Sequence, residues 1–191
     1  GGSGVDTLNL STVSSGISID LSLTTSQNTG GSGTDKIISI ENLVGSKFVD
    51  QLLGNASANY IEAGAGNDSI NGANGNDSIV GGLGADRMTG GHGIDKFIFK
   101  SSSDSLTKSQ DTITDFVSGI DKIVFNEIDA NTTIAGNQDF SLISSSANFS
   151  GAGQIKFSNG VLSGDTNGDG AADFGIIFSG VTTLTATDFI L

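Results

Sequence analysis

Large apolar residues recur at intervals of nine along residues 45–98, and a polar residue directly precedes each of them. A three-residue segment with one apolar side chain at its centre predicts a short strand that buries this side chain. Glycines cluster in the six residues before each segment. Because glycine permits positive φ and close approach of backbones, these residues predict tight turns. The predicted buried positions are Leu52, Ile61, Ile70, Ile79, Met88 and Phe97.

Turn and strand together form a unit with the template G-G-x-G-x-D-x-U-x, where U is a large apolar residue. Two units complete a coil of 18 residues, and successive coils are expected to stack as parallel strands about 4.8 Å apart. The sequence therefore predicts a parallel β-roll over residues 45–100. The units are GSKFVDQLL (45–53), GNASANYIE (54–62), AGAGNDSIN (63–71), GANGNDSIV (72–80), GGLGADRMT (81–89) and GGHGIDKFI (90–98).

Stacking of coils aligns the residues at position 6 of every second unit. Two carboxylates about 4.8 Å apart repel by about 1 kcal/mol in water and by several times more at lower dielectric, so the stacks call for a cation. Carboxylate and carbonyl oxygens suit calcium, and this repeat is a known signature of calcium-binding β-helices. Gly, Asn and Asp are also ordinary turn residues, but the strict nine-residue phase favours ligation. The predicted stacks are Asp50, Asp68 and Asp86 on one edge, and Asn59, Asp77 and Asp95 on the other.

Residues 1–44 carry interrupted repeats, and we expect them to form irregular β-coils that extend the roll. GGSGVDTLN (1–9) and GGSGTDKII (30–38) are full units, and residues 16–23 alternate like a half-buried strand. Asp6 and Asp35 are therefore weaker candidate ligands, and a β-flank without metal is an equal alternative. Because the chain opens within the repeat, we expect it to be the tail of a longer polypeptide.

After Ile98 the repeat stops, and residues 101–191 are predicted to form an antiparallel β unit that caps the roll and covers its exposed edge. Ten of the eleven phenylalanines follow residue 96 and predict a conventional core there. The whole chain is thus predicted to be all-β. The predicted strands of the cap are 112–116, 122–125, 154–157, 174–178 and 187–191.

Composition excludes several classes of function. The formal net charge of −13 argues against nucleic acid or an anionic membrane as a partner. The chain has no cysteine, its one histidine is His92, and no run is long enough to span a membrane. Without a catalytic constellation of the Ser-His-Asp or Cys-His kind, we expect a domain that is not an enzyme.

Two segments carry a family resemblance. Residues 84–125, GADRMTGGHGIDKFIFKSSSDSLTKSQDTITDFVSGIDKIVF, resemble the RTX-repeat region of serralysin-type secreted proteins, and residues 163–191, SGDTNGDGAADFGIIFSGVTTLTATDFIL, resemble the end of the same C-terminal domain. The resemblance implies several calcium ions, a β-sandwich-like cap, and a last site closed by Asp104 and Asp111. It further implies ligands in the repeat loops at Gly64, Gly66, Asp68, Gly72, Gly75, Asp77, Gly81, Gly82, Gly84, Asp86, Gly90, Gly91, Gly93 and Asp95.

This chain departs from the family pattern in the first coil. Asn59 replaces an Asp, and Ser46 and Phe48 occupy glycine positions. Asp50 and Asn59 are therefore only weaker candidate ligands.

A second acidic loop has ligand-type residues at Asp165, Asn167, Asp169 and Asp173. This spacing resembles the start of an EF-hand loop, but Ile176 stands where the final Glu would be. Calcium binding and an unliganded acidic hairpin loop remain equal alternatives.

The function expected from these observations is a calcium-dependent folding and secretion module of a larger extracellular bacterial protein. Its last four residues, 188–191, resemble the export signal of serralysin-type proteins from Gram-negative bacteria. The implied partner is a type I secretion transporter, and the implied state is a secreted or cell-surface monomer. The alternative is a roll that binds polysaccharide or another surface ligand in an exoenzyme or adhesin.

Overall fold

A computed structural model of the chain describes residues 1–30 and 33–191. The first nine strands are β1 Thr7–Asn9, β2 Ser18–Asp20, β3 Gln27–Asn28, β4 Thr34–Asp35, β5 Asn42–Val44, β6 Gln51–Leu53, β7 Tyr60–Ala65, β8 Ser69–Asn71 and β9 Ser78–Leu83. The other nine are β10 Arg87–Thr89, β11 Lys96–Ile98, β12 Asp111–Ile113, β13 Lys122–Val124, β14 Ser141–Leu142, β15 Gln154–Ser158, β16 Val161–Asp165, β17 Phe174–Phe178 and β18 Phe189–Ile190. A short 3₁₀ helix, Ala186–Asp188, precedes β18, and no helix among the described residues is long and apolar enough to cross a membrane.

Two sheets face each other, and successive strands of the roll alternate between them. The first sheet has the order β1-β5-β7-β9-β11-β13-β18, and all its pairs are parallel. The second has the order β14-β15-β16-β17-β12-β10-β8-β6-β2. Arg87 pairs with Ser69 and Lys96 with Ser78, an offset of 18 residues in each case. The predicted parallel β-roll and its 18-residue coil are therefore confirmed.

The core lies between the sheets and is built from the central residue of each strand. All six predicted position-8 residues are buried, with exposed fractions of 2 % or less. A central side chain points inward because neighbouring residues of a strand face opposite sides. The central residues of the flanking strands are buried in the same way, namely Ile19, Leu43, Ile113 and Ile123.

The roll extends upstream of the repeats. β1 pairs with β5 and β2 pairs with β6, both in parallel. The strand expected over residues 16–23 is limited to Ser18–Asp20. β3 and β4 form a separate antiparallel pair outside both sheets. The unit predicted at 30–38 lies partly outside the described residues, and its Asp35 belongs to β4 rather than to a turn of the roll.

After residue 100 the structure differs from the predicted antiparallel cap. β12 pairs in parallel with β10, and β13 with β11, so both sheets continue past the last repeat. β17 and β18 add one more parallel strand to each sheet. Antiparallel pairing joins β15, β16 and β17. The parallel sheets can continue without the nine-residue repeat. A parallel strand needs only an extended backbone and an apolar side chain that points inward, such as Ile113 or Ile123.

Phenylalanines fill the core of the cap. Phe116 packs edge-on against Phe178 with ring centroids 5.3 Å apart, and Phe125 packs against Phe174 at 5.6 Å. These tilted and edge-to-face arrangements are the favoured geometries of aromatic pairs. The cap and the roll therefore share one continuous core.

Candidate calcium sites

The position-6 carboxylates form two ladders, one along each edge of the roll. In the first ladder, Oδ1 of each Asp accepts the backbone N–H of the equivalent residue one coil earlier. The bonds run from Asp50 to Asp68 (2.8 Å), from Asp68 to Asp86 (2.8 Å) and from Asp86 to Asp111 (2.7 Å). The ladder thus joins each coil to the next.

The second ladder repeats this arrangement on the opposite edge. Its bonds run from Asn59 to Asp77 (2.8 Å), from Asp77 to Asp95 (2.9 Å) and from Asp95 to Asp121 (3.0 Å). The predicted stacks are therefore present, and each has one further member in the cap, Asp111 or Asp121.

The second carboxylate oxygen of four ladder residues is buried and has no hydrogen-bond partner. These atoms are Oδ2 of Asp68, Asp77, Asp86 and Asp111. Leaving a buried polar atom unpaired costs roughly 1–3 kcal/mol, and more when the group is charged. Three of these atoms lie along the first ladder and one, that of Asp77, along the second, and a cation beside each would satisfy it. The residues present therefore fit the metal that the repeats imply.

Glycines keep space open beside these oxygens. A Cβ at Gly81 would collide with Oδ2 of Asp86, and a Cβ at Gly84 would collide with the carbonyl oxygen of Gly66 one coil earlier. Gly84 also has a φ of +148°, which a residue with a side chain rarely adopts. Each turn can therefore present carbonyl oxygens close to the ladder carboxylates.

Backbone oxygens would have to supply most of the ligands. Among the described residues, no group of three or more His, Cys, Asp or Glu side chains is arranged to hold a metal ion. An ion between coils would therefore combine a ladder carboxylate with the carbonyl oxygens of the glycine turns. Oxygen-only ligands in a flexible number suit calcium better than magnesium or zinc.

The first coil satisfies its own ladder residues. Oδ2 of Asp50 accepts the N–H of Ser46 at 2.6 Å, and Oδ1 of Asp50 accepts the N–H of Ile17 at 2.9 Å. Oδ1 of Asn59 accepts the N–H of Asn55 at 2.8 Å. Unlike the four later ladder residues with an unpaired oxygen, Asp50 and Asn59 thus have backbone donors for these oxygens. Both lie in the coil where Ser46, Phe48 and Asn59 depart from the repeat template.

The upstream candidates have other partners. Oδ2 of Asp6 accepts the N–H of Gly2 at 2.7 Å, and Oδ2 of Asp35 accepts the hydroxyl of Thr29 at 2.6 Å. Glu41 accepts the N–H of Asp6 at 2.9 Å and so takes the ladder position of that coil. The sequence reasoning missed Glu41, because no glycine turn of the template precedes it.

Asp104 and Asp111 lie at the cap end of the first ladder. Oδ2 of Asp104 accepts the N–H groups of Lys100 and Ser101, at 2.8 and 3.0 Å. Burial, and to a smaller extent the negative charge of Asp104, raises the pKa of both Asp86 and Asp111.

The cap end of the second ladder holds two residues that the sequence reasoning missed. Asp121 continues the ladder, and Asp115 accepts the N–H groups of Gly90 and Gly91 at 2.9 and 2.8 Å. A signal for Asp121 was present, because Gly-Ile-Asp-Lys occurs at both 93–96 and 119–122.

The acidic loop at 165–173 joins β16 to β17 in an antiparallel hairpin. Asp165 accepts the N–H groups of Gly168 and Gly170, at 2.6 and 3.0 Å, and Asp173 accepts that of Thr166 at 2.7 Å. Asp169 accepts the N–H of Ala171 at 2.8 Å, while the amide of Asn167 donates to Asp173 at 2.7 Å. The acidic side chains of the loop thus accept hydrogen bonds from N–H groups within the loop itself. Calcium binding there stays a prediction.

Burial raises the pKa of the four ladder carboxyls that have an unpaired oxygen, and nearby carboxylates raise it further. The pKa rises to about 7 for Asp68 and for Asp77, to about 6 for Asp86 and to about 8 for Asp111. Without metal, Asp68, Asp77 and Asp111 therefore hold protons for part of the time near neutral pH.

Comparison with known proteins agrees with this geometry. The family model described as Peptidase M10 serralysin C terminal matches residues 1–191. The chain belongs to this family. RTX-type β-rolls bind calcium, as expected from the ladders, and serralysin-type proteins are secreted. No curated protein matches the sequence at a significant level.

Solved structures also resemble this serralysin C-terminal domain, and two of them are subunits of one enzyme. The R2 subunit of the mannuronan C5-epimerase AlgE6 from Azotobacter vinelandii is 28 % identical with a TM-score of 0.58, and the match covers 77 % of this chain and 90 % of that one. The R3 subunit of AlgE6 is 24 % identical with a TM-score of 0.54, covering 75 % and 79 %. Both support the β-roll fold.

Replacing a ladder carboxylate that has an unpaired oxygen should weaken calcium binding. We expect Asp86→Asn to raise the calcium concentration at half-maximal folding, measured by circular dichroism, by about tenfold or more, because a charged ligand is lost. Asp50→Asn should shift this midpoint far less, because Ser46 and Ile17 already occupy its oxygens. The exposed Asp139 supplies the matched control Asp139→Asn. Equal midpoints for Asp86→Asn and Asp50→Asn would contradict the assignment.

Acidification should act in opposite directions on the metal-free and calcium-loaded domain. Raised pKa values mean that folding takes up protons, so the stability due to protonation is present below about pH 4 and is lost as pH rises through 6 to 8. With calcium present, protons compete for the same oxygens, so the calcium midpoint should rise as pH falls from 8 to 6. Circular dichroism in chelator at both pH values, together with calcium titrations at both, tests this. A metal-free β-signal that is stronger at pH 8 than at pH 6 would refute it.

Proposed function

We propose that this domain is a calcium-dependent folding and secretion module of a larger extracellular bacterial protein, and that it has no catalytic activity of its own. The observation that carries the proposal is the row of buried, unpartnered Oδ2 atoms along the two ladders. A fold that needs cations to satisfy its interior is switched by their concentration.

Export and folding would then be separated by compartment. A narrow transporter passes an unfolded chain, and low cytosolic calcium keeps the ladders unsatisfied. Higher calcium outside folds the roll and opposes return of the chain. The absence of cysteine is compatible with this route, because no disulfide has to form after export.

The proposed export address is the segment 188–191, which resembles the terminal signal of serralysin-type substrates of type I transporters. It holds one acidic residue followed by three large apolar residues. In the folded domain the first two, Asp188 and Phe189, are buried. This burial supports a signal that is read before the domain folds.

Calcium should convert the domain from a largely unfolded chain to the β-roll. We expect a weak β-signal in chelator and a cooperative rise at roughly 0.1–1 mM calcium, the range of extracellular calcium modules. Magnesium should substitute poorly, because it demands tight octahedral geometry. Circular dichroism and size-exclusion chromatography measure both effects. Full native β-signal in EDTA near neutral pH would show that folding does not depend on calcium.

Export should require the last residues of the chain. We expect an inert reporter fused to residues 1–191 to appear outside a bacterium that carries a matching type I transporter. Deletion of 188–191 should reduce extracellular reporter strongly, with reporter accumulating inside the cell. Deletion of residues 1–9 serves as the control, because it removes a repeat unit and leaves the tail intact. Unchanged export without 188–191 would place the signal elsewhere.

A second candidate function is binding of an acidic polysaccharide. Tyr60, Ser78, Lys96 and Lys122 lie side by side on the outer face of the first sheet, and we call them the outer row. Two lysines directly opposite each other repel. Among the described residues, the one ion pair joins Lys100 to Glu62, not to either of these lysines. An anionic ligand would relieve their repulsion, and both similar structures belong to an enzyme named for mannuronan, a polyuronate.

Binding of a polyuronate to the calcium-loaded domain tests this candidate. We expect the double variant Lys96→Gln/Lys122→Gln to bind oligomannuronate about three- to tenfold more weakly by calorimetry, as is typical for two exposed ion pairs. The control Lys108→Gln removes an exposed lysine of the loop after β11 and should leave the affinity unchanged. Wild-type affinity in the double variant, or equal binding of neutral dextran, would exclude the candidate.

A further inference from the structure

The C-terminal tail is built into the first sheet. Phe189 and Ile190 pair with Ile123 and Val124, and the N–H of Phe125 donates to the carbonyl of Ile190 at 2.8 Å. The ring of Phe189 stacks on that of Phe125 with centroids 6.3 Å apart. The tail is therefore part of the core of the folded domain.

The carboxylate of Asp188 holds this tail in place. It is completely buried and accepts the N–H of Gly119 at 2.7 Å, the hydroxyl of Ser118 at 2.8 Å and the N–H of Thr185 at 2.7 Å. Burial acts to raise the pKa of Asp188, but these donors hold it below its ordinary value. Charge-assisted bonds of this kind are about twice as strong as neutral ones. We call this contact between Asp188 and the pair Ser118–Gly119 the tail latch.

The donors of the latch belong to the turn that ends the second ladder. The turn begins at Val117, whose N–H donates to Oδ2 of Asp121 at 2.8 Å. Oδ1 of the same Asp121 accepts the N–H of Asp95 at 3.0 Å. Gly119 lies in this turn with a φ of +86°, which favours glycine, and from there its N–H donates to Asp188. One turn thus contacts the calcium ladder on one side and the tail on the other.

We propose that the tail latch couples the second ladder to the C-terminus, so that calcium loading buries the tail and loss of calcium releases it. Ser118 and Gly119 are about 70 residues from Asp188 in the chain, so the unfolded chain cannot hold its donors around this carboxylate. The inference rests on the proposed function for its biological meaning. The export signal is then accessible to the transporter before the domain folds and is buried afterwards.

Hydrogen exchange of the C-terminal peptide, followed by mass spectrometry, tests the latch. In calcium the amides of β18 should be protected, and in metal-free buffer they should exchange freely. Ser118→Ala and Asp188→Asn should speed their exchange in calcium roughly ten- to hundredfold, the effect of losing a hydrogen bond to a charged group. Peptides covering β7 to β11 should stay protected in both variants, and Asp139→Asn should behave as the wild type.

Ladder variants separate the latch from general folding. At calcium concentrations where each variant is fully folded, Asp95→Asn in the second ladder should expose the tail more than Asp68→Asn in the first. Equal exposure in the two variants, or a tail protected without calcium, would overturn the inference.

The Ser118→Ala variant also keeps this inference distinct from the export proposal, because it leaves the tail sequence unchanged. Its fusion to the reporter should be exported normally, while the amides of its folded tail exchange faster than those of the wild type. If deletion of 188–191 leaves export intact but the exchange results hold, the export address is wrong and the latch stands.

Discussion

The structure depends on carboxylates that are buried directly above one another at the edges of the roll. Each ladder Asp has two tasks. Its Oδ1 binds the backbone N–H one coil earlier at 2.7–3.0 Å, which fixes the register of the parallel strands. Its Oδ2 is left in the interior without a donor in four cases. In these four residues one side chain both fixes the register of the strands and creates a demand for a cation.

This demand is concentrated in the middle of the chain. On the N-terminal side, Asp50 and Asn59 are satisfied by Ser46 and Asn55, so the first coil has no unpaired ladder oxygen. At the other end of the second ladder, Asp121 uses both oxygens on backbone N–H groups. The sequence substitutions at Ser46 and Asn59 therefore mark a real physical change, from a coil held by its own donors to coils that need an ion.

The nine-residue periodicity made the roll predictable from the sequence, whereas the structure after the last repeat could not be predicted in this way. The buried position-8 residues and the pairing of Asp68 with Asp86 follow from nine- and 18-residue spacing alone. Asp121 escaped prediction because it lies 26 residues after Asp95 instead of 18. The continuation of the sheets through β12 and β13 also could not be read from spacing, because the connections before them, 99–110 and 114–121, differ in length from the turns of the roll, such as 72–77. Contacts between distant segments, such as that of Asp188 with Gly119, leave no local pattern in the sequence.

The division between roll and cap is electrostatic rather than topological. Neither sheet breaks near residue 100, and one aromatic and aliphatic core runs through both parts. What changes near residue 100 is whether the acidic side chains have hydrogen-bond donors. In the cap, Asp115, Asp165 and Asp188 are each surrounded by N–H donors of nearby turns, whereas Asp68, Asp77 and Asp86 in the repeats each keep an unpaired oxygen. The cap can therefore satisfy most of its carboxylates without metal, while the repeats depend on an ion for the same purpose. The tail latch lies in the cap, but Asp121 joins its turn to Asp95 of the second ladder, so burial of the tail still depends on the repeated part.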